Sequence, residues 1–175
     1  MSTNSLPRQG SVMYDFIHGT EGDQQKRKRQ FRFLNKWFVI PLYRINILPL
    51  FGIGRIVVLL YHTGRKSGKQ YRTPVEYRKK DGKILVFASR GDRTDWYRNI
   101  RANPEQFKLK VGFKSYHPTM TFPDFDERME IMKWYVTEHS STANELFGWN
   151  KNIDEPTDET LSGLTEFIKI IAFEK

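Results

Sequence analysis

The sequence predicts an α+β fold that is mainly β: a small closed or half-closed barrel of about six mostly antiparallel strands with inserted helices. Three observations predict it. Ile56–Tyr61, Tyr71–Lys79 and Lys83–Ala88 are apolar or alternating runs joined by connections too short for a crossover helix, which makes them a meander. Phe107–Val111 and Ser115–Phe122 form a second hairpin around Gly112. One amphipathic helical stretch then precedes a last apolar strand, Phe167–Phe173.

Taken in order, residues 1–23 are polar and contain glycine, and they predict a flexible or loosely docked arm before a single domain spanning 24–175. Lys26-Arg27-Lys28-Arg29 leads into Phe31, Phe33, Leu34, Trp37, Phe38 and Ile40, a basic, aromatic-rich helix ending near Pro41. Such a helix suits contact with an anionic membrane surface. Ile56–Tyr61 is a nearly continuous apolar run, hence a strand buried on both faces or a barrel stave. Asp81-Gly82 is a two-residue hairpin turn. Trp96–Ala102 reads as a short helix that starts near Thr94 or Asp95 and stops at Asn103-Pro104. Asp124, with Glu127 three residues on, caps a long helix whose apolar stripe is Phe125, Met129, Met132, Val136, His139, Ala143 and Leu146. Gly148 stops it, and an acidic loop, Asp154–Glu159, leads on to the final strand.

Composition narrows the chemistry. The 175 residues carry 29 Lys and Arg against 20 Asp and Glu, a net charge of +9, so an anionic partner is expected: nucleic acid, a membrane surface or a polyanionic cofactor. There is no cysteine, which excludes thiolate chemistry and fits a reducing compartment. His18, His62, His117 and His139 share no metal-ligand spacing, so no metal centre is expected. The N-terminal residues show no secretory signal, and the apolar region Trp37–Tyr61 is broken by Pro41, Arg44, Asn46, Pro49 and Arg55. A cytoplasmic protein, peripheral to a membrane at most, is expected.

Two stretches carry the chemistry. Gly64-Arg65-Lys66-Ser67-Gly68-Lys69-Gln70-Tyr71-Arg72 joins two strands and concentrates charge between two glycines, which let backbone N–H groups turn toward an anion. Arginine adds a planar fork for phosphate or carboxylate. Ala88-Ser89-Arg90-Gly91-Asp92-Arg93-Thr94-Asp95-Trp96 ends a strand in a polar loop and feeds a helix N-terminus that favours an anion or a carbonyl-rich ring. The loop is not a P-loop, because only three residues separate its glycines and no Ser or Thr follows Lys69. Gly52-Ile53-Gly54 lacks the third glycine of a dinucleotide fingerprint, and no serine sits in a nucleophile elbow.

Thr63-Gly64-Arg65-Lys66-Ser67-Gly68 with Arg72-Thr73-Pro74, then Ala88-Ser89, then Asp95-Trp96-Tyr97-Arg98-Asn99 with Arg101-Ala102-Asn103-Pro104, closely resembles the deazaflavin-dependent nitroreductase and quinone reductase family. The resemblance implies a split β-barrel that binds coenzyme F420, whose phosphate and oligoglutamate tail is polyanionic, with FMN as the runner-up cofactor. It implies that Arg65, Lys66 and Arg72, on the loop with Ser67 and Gly68, hold the phosphate and tail. Thr73, Pro74 and Val75 then line the deazaflavin ring through backbone contacts. Ala88 and Ser89 lie near its reactive part, and Arg90, Trp96 and Asn99 complete the pocket. The implied activity is hydride transfer from F420H2 to a small hydrophobic, electron-poor acceptor: a quinone, a nitro-compound or an activated alkene.

Two departures stand out. The family's threonine-rich run is here Tyr61-His62-Thr63, and Tyr135 is the last tyrosine of the chain, so no substrate-side tyrosine follows. Tyr135 and His139, four apart on one helix face, are the candidate proton donors. The alternatives are a non-catalytic binder of flavin, deazaflavin, haem or lipid with the same fold and, less favoured, a barrel that binds single-stranded nucleic acid.

Overall fold

The computed structural model describes residues 6–18 and 57–174. The basic aromatic segment Lys26–Ile40 and Gly52-Ile53-Gly54 lie outside the described residues. Among the described residues, seven strands form one antiparallel sheet in the order β5-β4-β1-β2-β3-β7-β6. They are β1 (Val57–Thr63), β2 (Gln70–Lys80), β3 (Lys83–Ala88), β4 (Lys108–Val111), β5 (Lys114–Tyr116), β6 (Thr119–Thr121) and β7 (Lys169–Glu174). The β2–β3 connection is the Asp81-Gly82 turn, with φ of 51° and 78°, the left-handed pair that a tight hairpin requires.

The sheet curls until strands far apart in its order touch. Phe107, just before β4, stacks on Phe173 of β7 with ring centroids 5.0 Å apart. Inside the curl lie Val58, Leu60, Tyr77, Ile84, Val86, Ala88, Leu109, Ile171 and Phe173. Alternate residues of the same strands (Leu85, Ile170 and Ala172) point outward and are buried under helices. Burial on both faces is why these strands read as continuous apolar runs.

Helix α2 (Asp95–Ala102) plugs the curl with Tyr97 and Ile100, while α3 (Phe125–Glu138), α4 (Ser140–Phe147) and α5 (Asp158–Phe167) cover the outer face. The capping box that opens α3 is formed in both directions: Glu127 N–H donates to Asp124 at 2.9 Å, and Asp124 N–H to Glu127 at 3.0 Å.

The structure corrects several expectations. The strand Ser115–Phe122 is two strands. It breaks at His117-Pro118, where proline has no N–H for a ladder, so β5 pairs with β4 and β6 with β7 at opposite ends of the sheet. The long helix breaks at His139 (φ −122°, ψ 40°), and the buried stripe differs from the expected one: Tyr135 and Phe147 are buried and Phe125 is exposed. Helix α5 stands in the stretch read as a loop running from Asp154 toward the last strand. Its Ser162-Gly163 pair disguises it; a Cβ at Gly163 would stand 3.7 Å from the Leu6 carbonyl, an ordinary contact.

Residues 6–18, part of the stretch expected to be a flexible or loosely docked arm, pack on the domain. They include α1 (Val12–His18), and Leu6 and Met13 join the outer core. Arg8 closes a bidentate pair with the buried Asp154 at 2.7 and 2.5 Å and also donates to the Gly148 carbonyl at 2.7 Å. That pair and the Asn150 N–H hold the Asp154 carboxyl below its ordinary pKa.

Candidate functional site

Strand β2 builds the site by changing partners. Gln70–Glu76 pair with β1, and Tyr77–Lys80 pair with β3, the last rung being Tyr77 opposite Val86. If that register continued, Val75, Pro74 and Thr73 would face Ala88, Ser89 and Arg90. The rungs are not made, so among the described residues the first half of β2 has one strand partner and faces a gap. The two segments expected to embrace a ring, Thr73–Val75 and Ala88–Arg90, are thus the two lips of one split. Thr73, Pro74, Val75, Ser89 and Arg90 are half-buried along it, and Ala88 is buried.

The basic loop closes one end. A Cβ at Gly64 would come within 2.6 Å of Ser67 Oγ and of a Tyr71 ring carbon, so a larger residue there would have to push both side chains aside. Gly68 has φ of 62°. The loop amides are largely spent on the turn itself. Gly64 N–H donates to the Lys69 carbonyl at 2.8 Å, and Ser67 and Gly68 N–H donate to the Gly64 carbonyl at 3.2 and 2.8 Å. Ser67 Oγ lies 3.2 Å from the Tyr71 hydroxyl. An anion here would be held by side chains more than by the expected nest of N–H groups.

Arg65 turns toward α2. Its backbone N–H and its guanidinium both donate to Asn99 Oδ1, at 3.2 and 2.9 Å, and its Nη2 lies 3.6 Å from Asp95. Beside it opens a cleft of about 510 Å³ between Arg65, Asp92, Arg93, Tyr97, Arg98 and Arg101. Four guanidinium groups against Asp92 in the cleft and Asp95 beside Arg65 make this wall cationic. Arg93, Arg98 and Arg101 were legible only as part of a motif; the signal for their role is the one-turn spacing of Arg98 and Arg101 on a helix. Lys66 is exposed at the loop tip.

Arg72 is not brought to the same place. It pairs with Tyr61 in the β1–β2 register, on the face opposite Thr73 and His62, and its guanidinium stands 5.5 Å over the Tyr61 ring. Trp96 packs edge-on against Tyr97 at 6.2 Å and touches the inner core, half-exposed.

Tyr135 and His139 do come together, with ring centroids 5.4 Å apart, but in the outer core, on the other side of the sheet from Asn99. Tyr135 is wedged between Phe87 at 5.0 Å and Phe147 at 6.0 Å. Burial pushes its phenol up to about 12, which makes it a reluctant acid. Burial, then Arg78, lowers His139.

Among the described residues no group of three His, Asp or Glu side chains is placed to hold a metal ion. No helix among them is long and apolar enough to cross a membrane.

The site is a half-barrel split between two strands, with a cationic wall at one end of the split. The model of the F420H(2)-dependent quinone reductase family matches residues 49–146, more than half of the chain, and the chain belongs to that family of oxidoreductase enzymes. Among solved structures it is similar to an F420-H2-dependent reductase (FDR-A), at 26% identity over 69% of this chain and 95% of that one, with a TM-score of 0.46. It is also similar to a protein described as a domain-swapped dimer, at 23% identity over 88% of this chain and 100% of that one, with a TM-score of 0.47. FMN, the runner-up cofactor, finds no support in the family.

Proposed function

We propose that this chain binds coenzyme F420 and reduces a quinone or a similarly electron-poor acceptor. The observation that carries the reading is the partner switch of β2, which leaves Thr73–Val75 and Ala88–Ser89 as two lips of a gap beside Arg65. The donor set fits the cofactor: a strand edge with no strand partner among the described residues suits the hydrogen-bonding edge of a planar ring, and the arginines suit phosphate and carboxylates.

In this reading Thr73, Pro74, Val75, Ala88 and Ser89 orient the ring, with Arg90, Trp96 and Asn99 completing the pocket. Arg65 and Lys66 hold the phosphate. Arg93, Arg98 and Arg101 extend the anionic track for the glutamate tail, a job for which a single phosphate would need fewer cations. Bound F420H2 supplies the hydride; the protein contributes orientation and exclusion of water. A quinone, nitro-compound or activated alkene can lie flat against the ring, and the gap leaves room for such a partner.

Fluorescence titration with F420 and FMN, followed by a hydride-transfer assay with a naphthoquinone, tests the reading. Arg65→Ala should weaken F420 binding at least tenfold, since charged hydrogen bonds are worth about 1.5 to 3 kcal/mol each. Arg72→Ala should cost less. FMN binding as tight as F420 binding would overturn the cofactor, and an Arg72 effect equal to that of Arg65 would move the tail to the other face of the hairpin.

A further inference from the structure

His62 has no role in the reading above, yet it joins the two halves of the site. Its imidazole lies on the inner face of β1, 3% exposed, with the Tyr71 ring stacked at 5.7 Å. Both ring nitrogens are engaged: Nε2 is 2.9 Å from Thr73 Oγ1, and Nδ1 is 3.3 Å from Asn99 Nδ2.

The hydrogen positions follow by elimination. Asn99 Oδ1 accepts from the Arg65 backbone N–H and from its guanidinium, and neither of these groups can accept. The Asn99 amide is therefore oriented with its NH2 toward His62, and Nδ1 must accept. The single imidazole proton then sits on Nε2 and is donated to Thr73 Oγ1. Having accepted it, the Thr73 hydroxyl keeps its own hydrogen free for another acceptor. Thr73 is half-buried on the half of β2 whose one strand partner among the described residues is β1, at the gap. Burial holds His62 down to about 4, which preserves the neutral ring that this arrangement needs. A protonated ring would set one N–H against another at Asn99.

The geometry points to His62 as a positioning residue that couples the anion-binding Arg65 to the ring-facing Thr73. Through Asn99 it fixes the guanidinium, and through Nε2–H it makes Thr73 a hydrogen-bond donor toward a carbonyl-type acceptor in the gap. The identity of that acceptor rests on the proposed function, under which it belongs to the deazaflavin ring. One ring thus serves ring placement through its Nε2 arm and tail capture through its Nδ1 arm, and each arm can be cut separately.

Two substitutions separate the arms. In His62→Gln the carboxamide reaches the place of Nε2 and can still donate to Thr73. In His62→Asn the shorter carboxamide reaches the place of Nδ1 and can still accept from Asn99. Both proteins are checked by thermal unfolding, then titrated by fluorescence with F420 and with its phosphate-free deazaflavin core.

His62→Asn should lose about tenfold in affinity for the core, and His62→Gln should stay near wild type for the core while losing several-fold for intact F420. Nitrogen NMR of the ligand-free protein should show the His62 ring as the neutral Nε2–H tautomer at pH 6. Equal losses in both folded variants, no loss in either, or an Nδ1–H tautomer would overturn the coupling. Failure of the wild type to bind F420 would refute the functional reading instead. The tautomer measurement, made without ligand, decides the hydrogen-bond direction in either case.

Discussion

Acid should destabilise this protein in part through His62. The native ring titrates near 4, first because burial disfavours its charged form, with Asp95 opposing more weakly, whereas in the unfolded chain it titrates near 6.5. Below pH 6.5 the unfolded state takes up a proton that the native state refuses until about pH 4. The stability contributed by the neutral ring is therefore complete above pH 6.5 and drains away as the pH falls toward 4. The gap is worth about 3 kcal/mol in all, of which about 2 kcal/mol is gone by pH 5. Urea unfolding of wild type and His62→Gln between pH 7.5 and 4.5 isolates this contribution, because glutamine does not titrate. His139 and Asp154, both also lowered in the native state, titrate in the two proteins alike and cancel. The wild type should lose about 2 kcal/mol more than the variant between pH 7.5 and pH 5. Parallel stability curves would show that the imidazole is not buried as a neutral group, and the hydrogen-bond assignment at Asn99 would fall with it.

Arg8→Ala should destabilise the fold by about 3 to 5 kcal/mol, because it strands the fully buried Asp154 carboxylate without its counter-ion. A urea midpoint unchanged within error would mean that the segment 6–18 does not dock in solution. The double variant Arg98→Ala/Arg101→Ala should leave affinity for the phosphate-free core intact and lower affinity for long-tailed F420. The wild-type preference for the long tail should shrink at high salt. A salt-independent preference would place the tail away from this cleft.

Much of the architecture is written locally. The Asp81-Gly82 turn, the Asp124/Glu127 capping box and the uninterrupted apolar runs of β1 and β3 each depend on residues within a few positions, so periodicity and turn chemistry predict them. The cationic loop and the polar strand-to-helix segment were legible for the same reason: charge and glycine clustered along the chain announce a site whatever the fold does with them. The failures lie where distant contacts decide. Gly163 reads as a loop residue although it lies inside a packed helix, and Tyr135 stays off the expected stripe until the fold sets Phe87 and Phe147 around it. Alternation along β2 could show that Arg72 and Thr73 face opposite ways, but not which face carries the site. That depends on β2 leaving β1 for β3, a change of partner set by strand pairing across the sheet. The network from Arg65 through Asn99 and His62 to Thr73 spans residues up to 37 apart, and hydrogen bonds at such separations leave no local pattern. Residue types and their neighbours determined the elements and the kind of chemistry; only the folded chain determined which side chains share a proton, because direction and distance exist only once the sheet has curled.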